Sequence, residues 1–232
     1  MKEVGRTFSQ SSPAERRWGV GGRPLPVRRL TLSGVKAVNN PLDFSAVIRK
    51  LCDDVKVRCP VFAHLDPSSM AFTCTTSRNT GKYGLLARVT PMRFRDGGAY
   101  HRHRGTLYQA QRYVIDGREV LYLVTFCLPR FLNLPFLEKL TTVIHELYHI
   151  SPRFDGDLRR HDGRCQFHTH SKRGYDELME KMTREYLTTQ PNPELFTSFH
   201  STFAQLCAAH GSVQTISLPR PRMVPVVTPA GD

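Results

Sequence analysis

Five consecutive residues carry the clearest chemical signal in this chain, namely His145-Glu146-Leu147-Tyr148-His149. The two histidines are four residues apart, so on a helix both imidazoles share one face and can bind the same metal ion. Glu146 follows the first histidine and can reach a water molecule bound to that ion. This combination is typical of a hydrolase in which Zn2+ activates water. We therefore predict His145 and His149 as metal ligands, Glu146 as the catalytic base and Zn2+ as the cofactor.

The residues around the motif have the pattern of an amphipathic helix. Apolar residues recur every three or four positions between residues 136 and 147. Asn133 suits an N-cap and Pro135 suits a first turn, whereas Pro152 should end the helix near Ile150. The histidines border the apolar stripe rather than oppose it. This position argues against the alternative that the two histidines and the glutamate merely face solvent.

The segment after the helix must supply a third ligand, because a catalytic zinc has three protein ligands and one open position for water. We favour His168, since a ligand at the start of a following helix is held more rigidly than one in a loop. Asp155 occupies the position of the last histidine in a metzincin pattern, but Pro152 replaces the glycine of that pattern. The alternatives to His168 are His170, His161 and Asp155, followed by Cys165, Glu177 and Glu180.

A family resemblance rests on the same region. The run H-E-L-Y-H-I-S-P-R-F-D-G-D-L-R-R from His145, then H-x-H-S and Y-D-E-L-M, resembles the metallopeptidase family found in phages and related bacterial genomes. The resemblance is best over residues 110–185. It implies a zincin-like zinc hydrolase with His145 and His149 as ligands and Glu146 as the general base. It implies no substrate and does not choose the third ligand.

Composition predicts the class of protein and its location. A chain of 232 residues with 40% hydrophobic residues fits one domain with tails. It contains no apolar stretch of membrane-spanning length and no apolar segment of a secretory signal near the N-terminus, so we expect no membrane contact and a cytoplasmic location. None of the six cysteines forms a C-x-x-C pair, which favours buried thiols over a structural zinc ribbon.

The net charge of +13 is concentrated in three stretches. Residues 1–40 contain eight Lys or Arg and two Glu, so we predict that residues 1–38 form a flexible basic arm. Such an arm permits non-specific contact with nucleic acid, although solvated basic tails are an equally good explanation. The second stretch contains Arg102, Arg104 and Arg112. The third surrounds the proposed ligand loop, where it could select acidic substrates or proteins held on DNA. Its members are Arg153, Arg159, Arg160, Arg164, Lys172 and Arg173.

The order of sequence patterns predicts an α+β fold, namely a minimal zincin-like domain over residues 39–210. It would contain an N-terminal helix capped at Asn40-Pro41, a small mostly antiparallel sheet, the H-E-x-x-H helix, the ligand loop and C-terminal helices. The clearest hairpin runs from Leu107 to Phe126 and turns at Asp116-Gly117. We expect this hairpin to form the sheet edge that receives substrate. Residues 211–232 are rich in proline and predict an extended tail.

These observations favour a zinc-dependent metallopeptidase that acts on protein or peptide substrates. The alternative is a zinc-containing nucleic-acid-binding or phage-related interaction protein with a structural or inactive metal site. That alternative predicts a closed site with four protein ligands, for instance His145, His149, His161 and His168.

Overall fold

A computed structural model gives the fold of residues 27–30, 40–76, 84–160 and 172–226, which are the residues that the structure describes. Helices and mixed sheets combine in an α+β arrangement, as predicted. The helices are α1 (Phe44–Arg58), α2 (Phe136–Tyr148), α3 (Lys172–Thr188) and α4 (Phe203–His210). The strands are β1 (Val27–Leu30), β2 (Leu42–Asp43), β3 (Met70–Thr76), β4 (Ala87–Pro91), β5 (Tyr100–His103), β6 (Thr106–Ala110), β7 (Val114–Ile115), β8 (Arg118–Glu119), β9 (Tyr122–Leu128), β10 (Val213–Ile216) and β11 (Met223–Pro225).

The main sheet is mixed, which corrects the prediction of a mostly antiparallel sheet. Its strand order is β1-β10-β3-β9-β4, with β2 also paired to β10. The central pairs β10–β3 and β3–β9 are parallel, whereas β1–β10 and β4–β9 are antiparallel. All seven residues of β9 are buried, as is usual for a strand covered on both faces. Such a run carries no polar alternation, so its pattern could not reveal the direction of its neighbours.

The predicted hairpin from Leu107 to Phe126 is wrong except at its turn. Asp116 and Gly117 do form a tight turn, with φ of 49° and 77°, but they join only the two-residue strands β7 and β8. The strand β6 belongs to a separate three-stranded sheet in the order β11-β6-β5, and β9 lies inside the main sheet. The edge of the main sheet nearest the H-E-x-x-H helix is therefore β4, and the predicted hairpin does not form that edge.

The start of α1 differs from the prediction. The cap of α1 is Asp43 rather than Asn40, because the Asp43 carboxylate accepts a hydrogen bond from the backbone N–H of Ala46 at 3.0 Å. In the C-terminal part, Asn192 caps a 3₁₀ helix, Pro193–His200, and α4 follows as a separate helix. Thr202 begins α4 with a reciprocal capping box, which starts a new helix instead of continuing the old one.

The core lies between the main sheet and the helices. Most apolar residues of α1 are buried on one face, as a period of 3.6 predicts, and α2 packs against both β4 and α3. The buried residues of the α1 stripe are Phe44, Ile48, Leu51, Cys52 and Val55. Four of the five described cysteines are buried and all five are free thiols.

Both predicted tails contribute strands. Val27–Leu30, from the predicted arm, pairs antiparallel with β10, and β10 itself comes from the predicted tail. The rest of residues 1–38 lies outside the described residues. In the described part of the chain, no helix has the length and apolar character needed to cross a membrane.

Candidate metal and catalytic site

The helix α2 carries the H-E-x-x-H residues on its last turn. Leu140, Val143, Ile144 and Leu147 are buried and fix the rotation of the helix about its axis. Pro135 occupies the N-cap position, whereas the predicted cap Asn133 accepts a hydrogen bond from the backbone N–H of Phe203, 3.2 Å away. The helix ends at Tyr148, and His149 is its C-cap with α-helical dihedrals, φ −67° and ψ −15°. His149 therefore stays in helical register with His145.

The two histidine side chains converge. Their Nε2 atoms are 2.9 Å apart, and the ring planes make an angle of 76°. Two nitrogen ligands on a tetrahedral zinc, each about 2.0 Å from the metal, are separated by about 3.3 Å. The observed separation is close to that value, so a small side-chain rotation would allow both nitrogens to bind one ion. His145 and His149 therefore fit the role of paired metal ligands.

Tyr175, from α3, packs against both histidines. Its ring centroid lies 5.1 Å from that of His145 and 5.9 Å from that of His149, with the latter rings nearly parallel. The tyrosine is 2% exposed, and burial raises the pKa of its hydroxyl well above the usual range. The phenol consequently stays protonated at neutral pH and can donate a hydrogen bond. The packing of α3 on α2 thus places Tyr175 against both imidazole rings.

Glu146 is directed to the other side, towards the edge strand β4. Its Oε2 accepts a hydrogen bond from the backbone N–H of Val89 at 2.7 Å. The residue is 7% exposed, and this burial raises the pKa of its carboxyl to about 7, although the Val89 hydrogen bond opposes the rise. A carboxyl with a pKa near 7 can both accept and return a proton at neutral pH.

A cleft of about 780 Å3 opens beside the motif. One wall is formed by residues 84–87 at the start of β4, and the opposite wall is formed by α3. His145 and Glu146 lie between the two walls on α2. His145 and the Glu146 carboxylate therefore border a space large enough for a short peptide segment.

The loop after α2 folds back on the end of the helix. Arg159 donates from its Nε to the carbonyl of Tyr148 at 2.7 Å, and its guanidinium lies 4.2 Å from the centroid of the Tyr148 ring. The backbone N–H of Arg159 donates to the carbonyl of His149 at 2.7 Å. Cationic groups at a helix C-terminus satisfy its free carbonyls and favourably oppose its dipole. Arg159 thus stabilises the turn that holds His149.

Asp155, one of the alternative third ligands, has a different role. Its carboxylate accepts from the Arg153 guanidinium at 2.8 Å and from the backbone N–H of Asp157 at 3.2 Å. The side chain also packs against Gly97. These contacts hold the loop together, and the structure does not bring Asp155 into a metal-binding group with the two histidines.

The other candidates for the third ligand divide into two groups. His161, Cys165, His168 and His170 lie outside the described residues. On α3, Glu177 pairs with Arg173 at 2.9 Å, and Glu180 lines the cleft that also contains His145. Within residues 40–76, 84–160 and 173–226, no three His, Cys, Asp or Glu side chains form a group that could bind a metal.

The described arginines of the third basic stretch, which we predicted to surround the site, form contacts with other parts of the protein. Arg153 pairs with Asp96 and Asp155, and Arg160 pairs with Asp157. The cleft lining contains the acidic residues Glu138, Asp176 and Glu180 in addition to Glu146, and its described lining includes no Lys or Arg. The prediction that basic residues select acidic substrates therefore finds no support in the described cleft.

Sequence reasoning missed the contact of Glu146 with Val89. The donor is a backbone N–H, so no residue type at position 89 could signal it. Only the pairing of β4 with β9 and the packing of α2 on β4 bring this group to the carboxylate.

One comparison with known proteins identifies a family. Residues 43–187 match the model of the family described as "Putative phage metallopeptidase". No curated protein and no solved structure shows significant similarity to the chain. The matched region begins one residue before α1, ends within α3 and includes β3, β4, β9, α2 and the loop that follows it. Because the match covers more than half of the sequence and contains the paired histidines and Glu146, the chain belongs to this phage metallopeptidase family.

Proposed function

We propose that this protein is a zinc-dependent peptidase in which His145 and His149 bind the metal and Glu146 is the general base. The observation that carries the proposal is the convergence of the two Nε2 atoms, 2.9 Å apart, beside a buried carboxylate at the mouth of a cleft. We further propose His168 as the third ligand, with His170 and His161 as alternatives. A zinc ion bound there would polarise the scissile carbonyl and lower the pKa of a coordinated water molecule.

The proton transfers of peptide hydrolysis would then be carried out by a side chain of this protein. Glu146 takes a proton from the attacking water and returns it to the amine that leaves when the peptide bond breaks. The Val89 N–H holds the Glu146 carboxylate against the edge strand, close to where a bound peptide would lie. Tyr175 restricts the two imidazoles by packing on both rings.

The outer edge of β4 supplies a backbone surface for an extended substrate. The backbone N–H of Cys127 donates to Leu86 O at 2.8 Å, and that of Met92 donates to Leu121 O at 3.0 Å. The even-numbered residues of this strand therefore face β9. By alternation, the N–H and C=O groups of Ala87 face outward, in the wall of the cleft. A peptide in extended form can add to this edge as a further strand.

The test is to compare metal content and peptide hydrolysis in substituted proteins. Glu146→Gln should retain about one zinc per chain and lose hydrolysis of a casein-derived peptide mixture by about a thousandfold or more. His145→Ala should lose the metal as well. Glu185→Gln, a solvent-exposed α3 control that pairs with Lys181, should keep both properties. Wild-type activity in Glu146→Gln would exclude the proposed base.

The rival function, a structural zinc in an interaction protein, predicts a different metal environment. X-ray absorption at the zinc edge should show three protein ligands and one water for the peptidase. Four protein ligands without water would identify a closed structural site. The open cleft beside His145 and Glu146 favours the first outcome.

A further inference from the structure

The small sheet β11-β6-β5 presents a basic and aromatic ribbon to solvent along β5 and the start of β6. All residues of β5 and the first residue of β6 are exposed. The two strands are joined by a tight turn at Arg104 and Gly105, which have φ of 47° and 82°. A Cβ added to Gly105 would meet no atom within 4 Å, so the tip of the ribbon is open on that side.

The ribbon is positively charged and lacks acidic residues. The sequence contains no Asp or Glu from Gly97 to Ile115, and none from Leu195 to Val226, a segment that includes β11. Arg102 and Arg104 lie at the exposed end, and Arg220 and Arg222 lie beside β11 and are exposed. Uncompensated positive charge on one projecting element is an electrostatic footprint for a phosphate backbone.

Aromatic rings accompany these charges. Tyr100 is 53% exposed, and the alternation of β5 places it on the same face of the ribbon as Arg102. On the opposite face, the rings of His101 and His103 are stacked with centroids 6.3 Å apart. Exposed rings next to arginines suit bases that are free to stack, whereas the bases of a duplex are already stacked on each other.

We infer that the β5–β6 ribbon is a binding surface for single-stranded nucleic acid, in which Arg102 and Arg104 contact phosphates and Tyr100 stacks on a base. This surface is separate from the cleft that contains Glu146, and it differs from the basic arm. It would hold the protein on a nucleic acid while the cleft remains accessible.

The experiment measures binding of a fluorescein-labelled 20-nucleotide oligo(dT) to the full chain by anisotropy across a series of salt concentrations. Replacing both Arg102 and Arg104 by Ala should weaken binding about tenfold or more, and should reduce the slope of log K against log salt by about 1.4. The matched control, Lys181→Ala with Arg184→Ala, removes the same charge from the exposed face of α3. This control should change affinity less than twofold.

Tyr100→Ala separates stacking from charge. It should weaken oligo(dT) binding roughly tenfold with an unchanged salt slope, because the ring carries no charge. A duplex of the same length should bind more weakly than the single strand. The inference would be overturned if the wild type, the Arg102 and Arg104 double variant and Tyr100→Ala bound oligo(dT) with equal affinity. It would also be overturned if the duplex bound more tightly than the single strand and its affinity did not change in Tyr100→Ala. Hydrolysis of a short peptide should be unaffected by these variants, so the outcome does not depend on the proposed peptidase.

Discussion

The Glu146 carboxylate and the Val89 backbone N–H are 2.7 Å apart, and this hydrogen bond joins the proposed catalytic helix to the edge of the main sheet. The Val89 N–H is on the outward side of β4, away from the hydrogen bonds that pair β4 with β9. One backbone group therefore positions the carboxylate without weakening the sheet.

Substitution of Val89 by proline should remove this hydrogen bond with limited damage to the fold. Proline lacks the N–H, and edge strands tolerate it where the N–H faces outward. We expect Val89→Pro to lower kcat about ten- to a hundredfold while the zinc content is retained, since a lost charge-assisted hydrogen bond is worth roughly 1.5–3 kcal/mol. Kinetics on a peptide substrate and metal analysis measure these effects.

The control is Arg88→Pro at the neighbouring position. By alternation along the antiparallel pair, the N–H of residue 88 faces β9, so proline there removes a ladder bond. Arg88→Pro should lower the melting temperature more than Val89→Pro does. The opposite order would contradict the assigned orientation of β4.

Glu119 should make stability sensitive to acid. Burial alone would raise the pKa of its carboxyl, but hydrogen bonds from Arg112 and Arg93 outweigh burial and hold that pKa below 4.5. Because the folded-state pKa is depressed, this stabilisation is present above pH 4.5 and is lost as the pH falls through the folded value. Glu119→Gln should cost about 1–2 kcal/mol in free energy of unfolding at pH 7 and much less near pH 3.

A double-mutant cycle isolates this contribution. Arg112 donates two hydrogen bonds to Glu119, of 2.7 Å and 2.9 Å. The coupling free energy between Glu119→Gln and Arg112→Gln, measured by urea unfolding, should be clear at pH 7 and should disappear in acid. A coupling that does not depend on pH would show that the pair stabilises the fold by packing alone.

Gly156 should not tolerate a side chain. Its φ is +85°, and an added Cβ would lie 2.5 Å from Cγ of Arg93. Arg93 cannot easily move, because its guanidinium pairs with Glu119 at 2.8 Å. We expect Gly156→Ala to lower the free energy of unfolding by about 2–4 kcal/mol, as the sum of backbone strain and overpacking.

The control for this prediction is Gly117→Ala. Gly117 has a similar φ of +77°, but a Cβ there would meet no atom within 4 Å. Only the backbone strain remains, so the loss should be about 1 kcal/mol. Equal losses in the two variants, measured by denaturant unfolding, would show that Arg93 moves aside without cost.

The acidic lining of the cleft should influence substrate choice if the chain is a peptidase. Glu138, Asp176 and Glu180 line the cleft together with His145 and would attract cationic side chains. Asp176→Asn should lower kcat/KM for a lysine-containing peptide about two- to fivefold, the range expected for an exposed ion pair. The same variant should leave a neutral peptide of equal length unaffected, and Glu185→Gln should affect neither peptide. A preference for acidic peptides would contradict this interpretation.

The pattern of the sequence predicted local structure well where a single element determines it. The spacing of His145 and His149 in a stretch of period 3.6 places both rings on one helix face, because that relation depends only on helix geometry. The turn at Asp116-Gly117 was equally predictable, since few other residues adopt positive φ without strain. The caps of α1 and α2 were misplaced, because several nearby residues can cap a helix and packing selects among them.

Pairing between distant segments could not be predicted in the same way. The fully buried β9 gives no indication of its neighbours, so its parallel pairing with β3 and its antiparallel pairing with β4 were missed. The assignment of the substrate edge to the Leu107–Phe126 hairpin failed for this reason. The participation of Val213–Ile216 in the main sheet was missed because proline-rich surroundings suggested an extended tail.

The sequence by itself determined the chemistry that this chain can offer: two imidazoles one helical turn apart, a carboxylate beside them and a basic stretch around residue 102. The tertiary structure decided where that chemistry is directed. It placed the Glu146 carboxylate within hydrogen-bonding distance of the Val89 N–H, packed Tyr175 on both histidines and exposed residues 100–106 as a ribbon. The physical reason is that residue types and short spacings fix donors, charges and helix faces, whereas burial and backbone pairing depend on contacts between segments far apart in the chain.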